Sequence, residues 1–280
     1  MKILVTGVKG QLGYDVCRRL DARGIENRGV DIEDFDITDK NAVFAYIKDY
    51  RPDAIVHCSA WTAVDRAEDE IELCTRVNAD GPRNIAEAAA EIGAKMMYIS
   101  TDYVFPGTGE RHYAPDDETG PLSVYGKTKL MGEEAVRAAC DRHFIVRISW
   151  VFGKNGNNFI KTMLRLAETK TDLNVVCDQI GSPTYTYDLA ILLCDIIVSE
   201  KFGTYHATNE GLCSWAEFAA EIMRQAGKST VIHPIPTSEY PTRAVRPLNS
   251  RMSKDKLVEA GFSRLPDWKD ALARYLKELD

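Results

Sequence analysis

The sequence has no long hydrophobic run and no cluster of positive charge. None of its stretches approaches the roughly 20 consecutive apolar residues that a membrane-spanning helix needs, and the N-terminal apolar run is broken by Gly7 and Lys9. The 280 residues include 35 Lys and Arg against 42 Asp and Glu, a formal net charge of −7. Because nucleic-acid binding depends on a basic surface that neutralises phosphates, we expect neither a nucleic acid nor a membrane as partner.

Paired cysteines and metal-ligand spacings are also lacking. The seven cysteines, at positions 17, 58, 74, 140, 177, 194 and 213, are an odd number and include no C-x-x-C spacing. Neither a disulfide framework nor a structural zinc site is therefore predicted. The five histidines show no ligand spacing either. We expect free thiols, a cytoplasmic location and no bound metal.

Short β-branched runs alternate with longer amphipathic stretches through the first half of the chain. The runs are short and mostly apolar, as expected for strands buried on both faces, and Val43, Phe44 and Ile47 between them recur at helical spacing. This alternation predicts an α/β fold with a Rossmann-type doubly wound parallel sheet, accompanied by a smaller mixed α/β substrate-binding domain. Predicted strands lie at residues 3–5, 27–30, 53–57, 96–100, 144–148 and 174–177.

The alternation changes after about residue 150. A loop at 153–158 precedes a helix-like segment, and a Pro-rich stretch follows from 233 to 247. We expect residues 1–150 to form the dinucleotide-binding domain, with the strand at 174–177 and a helix near 186–199 returning to its sheet as a segment 174–200. Residues 151–173 and 201–280 are then expected to form the substrate-binding part.

Three glycines follow the first predicted strand and open an amphipathic helix. Gly7, Gly10 and Gly13 have the spacing G-x-x-G-x-x-G, with Gln11 and Leu12 between the last two. A turn without Cβ atoms lets a pyrophosphate approach the backbone, and the helix N-terminus supplies free N–H groups. All five residues are predicted to contact a nicotinamide dinucleotide.

Asp31 ends the second predicted strand, 18 residues beyond Gly13. A carboxylate there can accept hydrogen bonds from the ribose hydroxyls and repels a 2′-phosphate. This favours NADH, although Arg28 nearby keeps NADPH open. We expect five further residues to border the cofactor, because they lie at or near the ends of other predicted strands. They are Asp36, Ile37, Ser59, Ala60 and Trp61.

Tyr125 and Lys129 lie four residues apart on one predicted helix face. Carbonyl reduction requires an acid that protonates the oxygen, and an ammonium beside a phenol lowers the phenol pKa toward neutrality. Thr101 follows a buried strand, where its hydroxyl can polarise the same carbonyl. The three residues predict the catalytic centre of a reductase, in which Tyr125 and Lys129 also contact the cofactor.

Several motifs together resemble one family, the dTDP-4-dehydrorhamnose reductases, which are extended short-chain dehydrogenases. Besides the glycine turn, they are S-T-D-Y-V-F from residue 100, Y-G-K-T-K from 125, R-I-S-W-V-F-G from 147 and R-P-L-N-S from 246. The resemblance covers essentially the whole chain. It implies reduction of dTDP-4-dehydro-L-rhamnose to dTDP-L-rhamnose by NADPH or NADH, for cell-surface polysaccharide.

The resemblance also implies roles for individual residues. It assigns catalysis to Thr101, Tyr125 and Lys129. Trp150 would stack on the apolar face of the deoxysugar or fill the core, and guanidinium groups in the Pro-rich loop would neutralise the diphosphate. The residues expected to bind the sugar nucleotide are Thr62, Val64, Thr101, Asp102, Tyr103, Trp150, Asn158, Arg243 and Arg246.

Two alternatives stay open at this stage, and so does the assembly. The chain could reduce another nucleotide-linked 4-keto-6-deoxysugar, or serve as a catalytically idle NAD(P)-binding regulatory subunit. Some family members form magnesium-linked dimers through acidic groups, to which Asp15, Asp188 and Glu278 correspond. Two of these are aspartates where glutamates are expected. We therefore predict no metal, and a monomer or a homodimer.

Overall fold

A six-stranded parallel sheet forms the centre of the molecule in the computed structural model, which describes residues 1–279. The strands of the chain are β1 (Lys2–Thr6), β2 (Glu26–Val30), β3 (Ala54–His57), β4 (Lys95–Thr101), β5 (His143–Ile148), β6 (Val151–Phe152), β7 (Asp172–Val176), β8 (Ile180–Gly181), β9 (Thr184–Tyr185), β10 (Gly203–His206), β11 (Cys213–Ser214) and β12 (Val231–Ile235). The central sheet has the order β10-β5-β4-β3-β1-β2, so the chain reverses direction across the sheet at β1.

Helices cover both faces of this sheet, as the alternating pattern predicts. The α-helices are α1 (Gln11–Ala22), α2 (Lys40–Tyr50), α3 (Val64–Ala67), α4 (Ile71–Thr75), α5 (Gly81–Glu91), α6 (Val124–Ala139), α7 (Phe159–Ala167), α8 (Thr186–Val198), α9 (Trp215–Gln225), α10 (Asp255–Glu259) and α11 (Trp268–Leu279). Helices α1 and α8 pack on one face, and α2, α5 and α6 on the other. In the region the structure describes, no helix is long and apolar enough to cross a bilayer.

Strand β1 shows why these runs form the sheet. Ile3, Leu4 and Val5 are all completely buried. Ile3 and Val5 belong to the hydrophobic cluster on the α1/α8 face, whereas Leu4 belongs to the cluster on the opposite face. A strand covered by helices on both sides needs apolar side chains at every position, which explains the continuous rather than alternating hydrophobic pattern.

A smaller lobe packs beside the sheet around a third hydrophobic cluster. It is built from α7, α9 and α11, and aromatic side chains of β9, α9 and α11 surround Phe152. The ring of Phe152 lies 5.3 Å from that of Tyr185 and 5.2 Å from that of Tyr275. The predicted fold class is therefore confirmed. The functional division of the chain near residue 150 stays a prediction.

One predicted strand lies in a different place. Residues 174–176 of the run predicted at 174–177 lie in β7, which pairs with β12 in a separate two-stranded sheet. Asp172 and Asn174 in β7 are exposed, a polar alternation that suits a half-exposed sheet rather than a buried central strand. The sixth central strand is instead β10, Gly-Thr-Tyr-His, which lacks the aliphatic run that identified the others. The helix near 186–199 does return to the sheet, as α8.

A buried ion pair fastens α6 to the sheet. The Arg147 guanidinium donates two hydrogen bonds of 2.8 Å to the Glu133 carboxylate and a third to the carbonyl oxygen of Pro115. Both side chains are almost completely buried. Burial raises the pKa of Glu133, but the hydrogen bonds and charge of Arg147, with smaller contributions from Ser100 and Arg137, more than offset this and leave the pKa below its ordinary value. The Arg147 guanidinium therefore depends on Glu133 for its counter-charge.

Removing one partner of this pair should destabilise the fold strongly. Glu133→Ala leaves the Arg147 guanidinium buried without a counter-charge, so the free energy of unfolding should fall by about 3–5 kcal/mol. The matched control is Glu91→Ala, which removes an exposed helix carboxylate paired with Lys48 and should cost less than about 1 kcal/mol. Urea unfolding of both variants measures the difference. Equal losses would contradict the assigned importance of the buried pair.

Candidate active site

A cleft of about 790 Å³ opens at the carboxyl ends of the central strands. Its position beside β1 is where ligands bind in sheets of this type, because the strand order reverses there. Most of the predicted site residues line it: Gly7, Gly10, Gln11, Leu12, Gly13, Asp31, Asp36, Ile37, Ser59, Ala60, Thr62, Val64, Thr101, Asp102, Tyr103, Tyr125, Lys129 and Trp150. Trp61, Asn158, Arg243 and Arg246 lie outside the lining.

The glycine turn forms one end of the cleft and leaves backbone exposed there. Gly7 adopts a φ of +72°, and its N–H donates to the carbonyl oxygen of Val30. A Cβ at Gly7 would lie 2.7 Å from the Ser59 nitrogen, and one at Gly13 only 2.4 Å from the Gly7 oxygen. Helix α1 begins after Gly10 without a capping side chain. These free N–H groups fit a diphosphate.

Asp31 stands beside this turn at the end of β2. Its carboxylate accepts hydrogen bonds of 2.9 Å from the backbone nitrogens of Lys9 and Ile32. Arg28 points elsewhere, since its guanidinium lies 4.3 Å from the centre of the Tyr50 ring. The structure therefore puts the carboxylate, and not the guanidinium, next to the predicted cofactor position.

The three predicted catalytic residues come together in the middle of the cleft. Thr101 is the last residue of β4, and Ser123 caps α6 so that Tyr125 and Lys129 face the sheet. The Lys129 ammonium donates a 2.7 Å hydrogen bond to the carbonyl oxygen of Ile99 and lies 4.1 Å from the centre of the Tyr98 ring. The predicted constellation is therefore assembled by one strand end and one helix face.

Burial controls the ionisation of these groups. It raises the pKa of Tyr125 well above its ordinary value, while a hydrogen bond with Thr101 acts in the opposite direction. Burial also lowers the pKa of Lys129 to about 7. The spacing of Tyr125 and Lys129 predicted that the ammonium lowers the pKa of Tyr125, whereas burial raises this pKa in the structure. Tyr125 is consequently protonated at neutral pH, whereas Lys129 is present in both its charged and its neutral form.

Two stacked tryptophans form part of the wall of the cleft. Trp150, which follows β5, has a φ of +50°, a strained conformation for a bulky residue. Its indole stacks on that of Trp215 at 3.8 Å between ring centres and an interplanar angle of 16°. Both line the cleft. Sequence reasoning missed Trp215, although Ser214 and Glu217 form a capping box that marks the helix start beside it.

The two predicted arginines lie at the mouth of the cleft in ion pairs. Arg246 bonds to the Asp65 carboxylate at 2.6 Å and to the Tyr103 hydroxyl at 3.3 Å. Arg243 pairs with Asp69. A ligand diphosphate would therefore have to compete with these carboxylates for the guanidinium groups.

Two residues that were predicted to contact a ligand form hydrogen bonds with other protein groups instead. The Asn158 amide donates to Gln11, to the carbonyl oxygen of Gly153 and to the hydroxyl of Tyr275, and its oxygen caps α7. Its hydrogen bonds hold the smaller lobe against the glycine turn. The Trp61 indole donates to the carbonyl oxygen of Ala63. Neither residue is part of the cleft lining.

The acidic residues considered for magnesium are engaged with protein groups. Asp15 accepts from the Thr186 hydroxyl, Asp188 forms a bidentate pair with Arg274, and Glu278 accepts from the Tyr185 hydroxyl. Among residues 1–279, no group of three or more His, Cys, Asp or Glu side chains is arranged to hold a metal ion.

Known proteins resemble the chain over its full length. The family profile described as RmlD substrate binding domain matches residues 1–280. The dTDP-4-dehydrorhamnose reductase of Sinorhizobium fredii is 40% identical over 98% of this chain and 96% of its own. The chain belongs to the dTDP-4-dehydrorhamnose reductase family. It is accordingly an oxidoreductase of the extended short-chain dehydrogenase type, as predicted.

Two further relatives support membership of the dTDP-4-dehydrorhamnose reductase family. The spore coat polysaccharide biosynthesis protein SpsK of Bacillus subtilis is 43% identical over 99% of this chain and 97% of its own. The crystal structure of the Bacillus anthracis dTDP-4-dehydrorhamnose reductase, in complex with NADP, has a TM-score of 0.97 at 40% identity. The comparison covers 99% of both chains.

The glycine turn can be tested by comparing two glycines with the same backbone conformation. Gly7 and Gly24 both have positive φ, but a Cβ at Gly24 meets nothing within 4 Å. Gly24→Ala should cost about 1 kcal/mol from backbone strain alone, whereas Gly7→Ala must also displace the backbone at Ser59. We expect Gly7→Ala to lose more unfolding free energy and to bind NADPH more weakly. Equal stability and NADPH affinity in the two variants, measured by urea unfolding and titration calorimetry, would refute this reading of the turn.

Proposed function

We propose that this protein reduces the 4-keto group of dTDP-4-dehydro-L-rhamnose to give dTDP-L-rhamnose, with NADPH or NADH as the hydride donor. The observation that carries the proposal is the position of Thr101, Tyr125 and Lys129 in the cleft beside an uncapped glycine turn. The NADP complex of the Bacillus anthracis relative supports the cofactor class.

The residues of the cleft account for the chemistry. When bound, the cofactor supplies a hydride to C4 of the sugar. Tyr125, protonated at neutral pH because burial raises its pKa, gives its proton to the carbonyl oxygen, so the ketone becomes a secondary alcohol. The phenolate left behind is stabilised by the positive charge of Lys129 and recovers its proton from solvent. Thr101, which lines the same cleft, would polarise that carbonyl oxygen with its hydroxyl.

The sugar nucleotide would occupy the side of the cleft away from the glycine turn. The stacked pair of Trp150 and Trp215 offers an apolar surface to the deoxysugar. Thr62, Val64 and Tyr103 line the same side. Arg246 would leave Asp65 to bind the diphosphate, since a guanidinium fork matches phosphate oxygens, and Arg243 would support it in the same way.

The biological setting follows from the same proposal. The Bacillus subtilis relative is named for spore coat polysaccharide biosynthesis, which supports a role in supplying activated deoxysugar for surface polysaccharide. The seven cysteines are free thiols in the structure, and this suits the reducing cytoplasm. We keep a monomer or a homodimer as the expected assembly.

Identification of the product tests the proposal directly. The protein is incubated with NADPH, dTDP-glucose and the two upstream enzymes that convert it to the 4-keto-L-sugar, and the product is identified by NMR. We expect dTDP-L-rhamnose. A product with the opposite configuration at C4 would assign the protein to another 4-ketoreductase, and no NADPH consumption would favour a regulatory subunit.

Loss of the Tyr125 hydroxyl should remove the proton donor. Tyr125→Phe keeps the ring, so turnover should fall roughly 100-fold or more while the NADPH dissociation constant changes little. Tyr205→Phe is the control, because it removes another buried tyrosine hydroxyl, bonded to the carbonyl oxygen of Lys201, far from the cleft. Steady-state kinetics and calorimetry measure both effects. Near-normal turnover in Tyr125→Phe would exclude Tyr125 as the acid.

The carboxylate of Asp31 should set the cofactor preference. We expect wild type to use NADH at least as well as NADPH, and Asp31→Ala to shift the ratio of kcat/KM values toward NADPH by relieving repulsion of the 2′-phosphate. Glu26→Ala removes an exposed carboxylate at the opposite end of β2, outside the cleft lining, and should leave the ratio unchanged. A wild type that strongly prefers NADPH would make this interpretation of Asp31 wrong.

A further inference from the structure

The ammonium group of Lys129 is buried and has few oxygen partners. Only 2% of the residue is exposed, so water contributes little to its stabilisation. Among residues 1–279, its one hydrogen-bond acceptor is the carbonyl oxygen of Ile99, at 2.7 Å. The carboxylate of Glu133 lies one turn farther along α6, but it is bonded to the guanidinium groups of Arg147 and Arg137. One carbonyl oxygen is little compensation for a buried charge.

The ring of Tyr98 supplies a further contact for this ammonium. The Lys129 nitrogen lies 4.1 Å from the centre of the ring, within the range at which an aromatic face attracts a cation. Tyr98 is completely buried on β4 and is not part of the cleft lining. The contact is therefore dry, and a cation–π interaction is strongest where water is excluded.

Three neighbours hold the Tyr98 ring in this position. Its hydroxyl donates a 3.1 Å hydrogen bond to the carbonyl oxygen of Asn78, which belongs to a π-helical turn (Arg76–Asp80). Gly132 on α6 makes room for that hydroxyl, since a Cβ there would collide with its oxygen. The imidazole of His57 lies 6.0 Å from the Tyr98 ring centre and nearly parallel to it. The aromatic face is consequently fixed relative to the helix that carries Lys129.

The ionisable groups around Lys129 offer almost no negative charge. Burial lowers the pKa of His57 to about 3, so its imidazole is neutral at pH 7. Burial raises the pKa values of the thiols and phenols nearby, which are therefore neutral as well. These neutral groups are His57 and Cys58 at the end of β3, Cys74 on α4, Tyr98 on β4 and Tyr125 on α6. The only anion among the groups facing Lys129 is Glu133, which is shared with two arginines.

We propose that Tyr98 is a positioning residue whose aromatic face keeps the Lys129 ammonium charged and in place at the cleft. This inference rests on the proposed reductase function, in which the positive charge of Lys129 stabilises the Tyr125 phenolate. Tyr98 acts only through Lys129, because it lies outside the cleft lining. Its ring therefore does more than fill the core between β4 and α6.

The contact should set the pH at which turnover declines on the alkaline side. Burial lowers the pKa of Lys129 to about 7, while the charge of Glu133 acts in the opposite direction. Because the charged form is required, activity should fall as the pH rises through this pKa. A desolvated cation–π contact favours the charged form by roughly tenfold or more. Loss of the ring should therefore lower the Lys129 pKa by about one unit.

Two substitutions separate the aromatic face from the hydroxyl. Tyr98→Leu removes both, so the alkaline decline of kcat/KM should move about one pH unit lower, and kcat/KM at pH 7 should fall about fivefold. Tyr98→Phe keeps the ring and should keep the wild-type profile, although it loses the bond to Asn78 and some thermal stability. Steady-state kinetics over a pH series measures both variants. A shift in Tyr98→Phe as large as that in Tyr98→Leu would assign the effect to the hydroxyl and overturn the proposal.

The matched control is Tyr205→Leu. Tyr205 is also buried, on β10, and its hydroxyl donates to the carbonyl oxygen of Lys201. Its ring packs against Phe262 and not against an ammonium group. We expect a loss of thermal stability comparable to that of Tyr98→Leu, with an unchanged pH profile. The same shift in both variants would mean that any lost tyrosine ring produces it, and the proposed role of Tyr98 would be wrong.

A graded series weakens the aromatic face while nearly keeping the shape of the side chain. Phenylalanine at position 98 is replaced by monofluoro-, difluoro- and trifluorophenylalanine, in which each fluorine withdraws electron density from the ring face that attracts the cation. The alkaline decline should move stepwise to lower pH along the series. A constant profile would overturn the proposal even if Tyr98→Leu proves too unstable to measure.

A second measurement needs no substrate. Carbon-13 NMR of protein labelled in its lysine side chains, with Lys129 assigned from the Lys129→Met spectrum, should show Lys129 titrating near 7 in wild type. We expect the same value in Tyr98→Phe and a lower one in Tyr98→Leu. Identical titration in all three proteins would overturn the inference. If wild type does not turn over dTDP-4-dehydro-L-rhamnose, the proposed function fails, and this titration alone decides whether Tyr98 controls the charge of Lys129.

Discussion

The buried pair of Glu133 and Arg147 is the interaction on which the catalytic centre depends. It holds α6 against β5, and Lys129 stands one turn before Glu133 on that helix. Because two charges without water are stable only in each other's presence, the helix has one well-defined position on the sheet. Tyr125 and Lys129 are carried with it, so their placement beside Thr101 depends on a contact outside the cleft.

Desolvation is the second constraint, and it acts on the buried titratable groups of the catalytic centre. It raises the pKa values of Tyr125 and Asp102 and lowers that of Lys129. A phenol that stays protonated is an acid ready for a carbonyl oxygen, and a lysine with a pKa near neutrality changes charge easily. The same burial forces each group to find a polar partner, which is why the Ile99 carbonyl oxygen and the Ser250 hydroxyl belong to the site.

The cleft is also the place where the two parts of the chain meet. The sheet supplies the glycine turn and the end of β4, whereas the later segments supply Trp215 to the lining and Ser250 as a partner of Asp102. Trp150 joins them, since it follows β5 in a strained conformation and stacks on Trp215. Strain of this kind persists only where the surrounding packing maintains it, and here the wall of the cleft is the result.

The sequence by itself determined the local features: five of the six central strands, the helices between them, the glycine turn and the Tyr125–Lys129 spacing. These depend on side chains that are close in the chain, so a periodic pattern reveals them. Tertiary structure alone decided that β10 completes the sheet, that Arg246 pairs with Asp65, that Asn158 bonds to Tyr275, and that Asp102 faces Ser250. Each of these joins residues far apart in sequence, and their partners, burial and protonation exist only once the chain has brought them together.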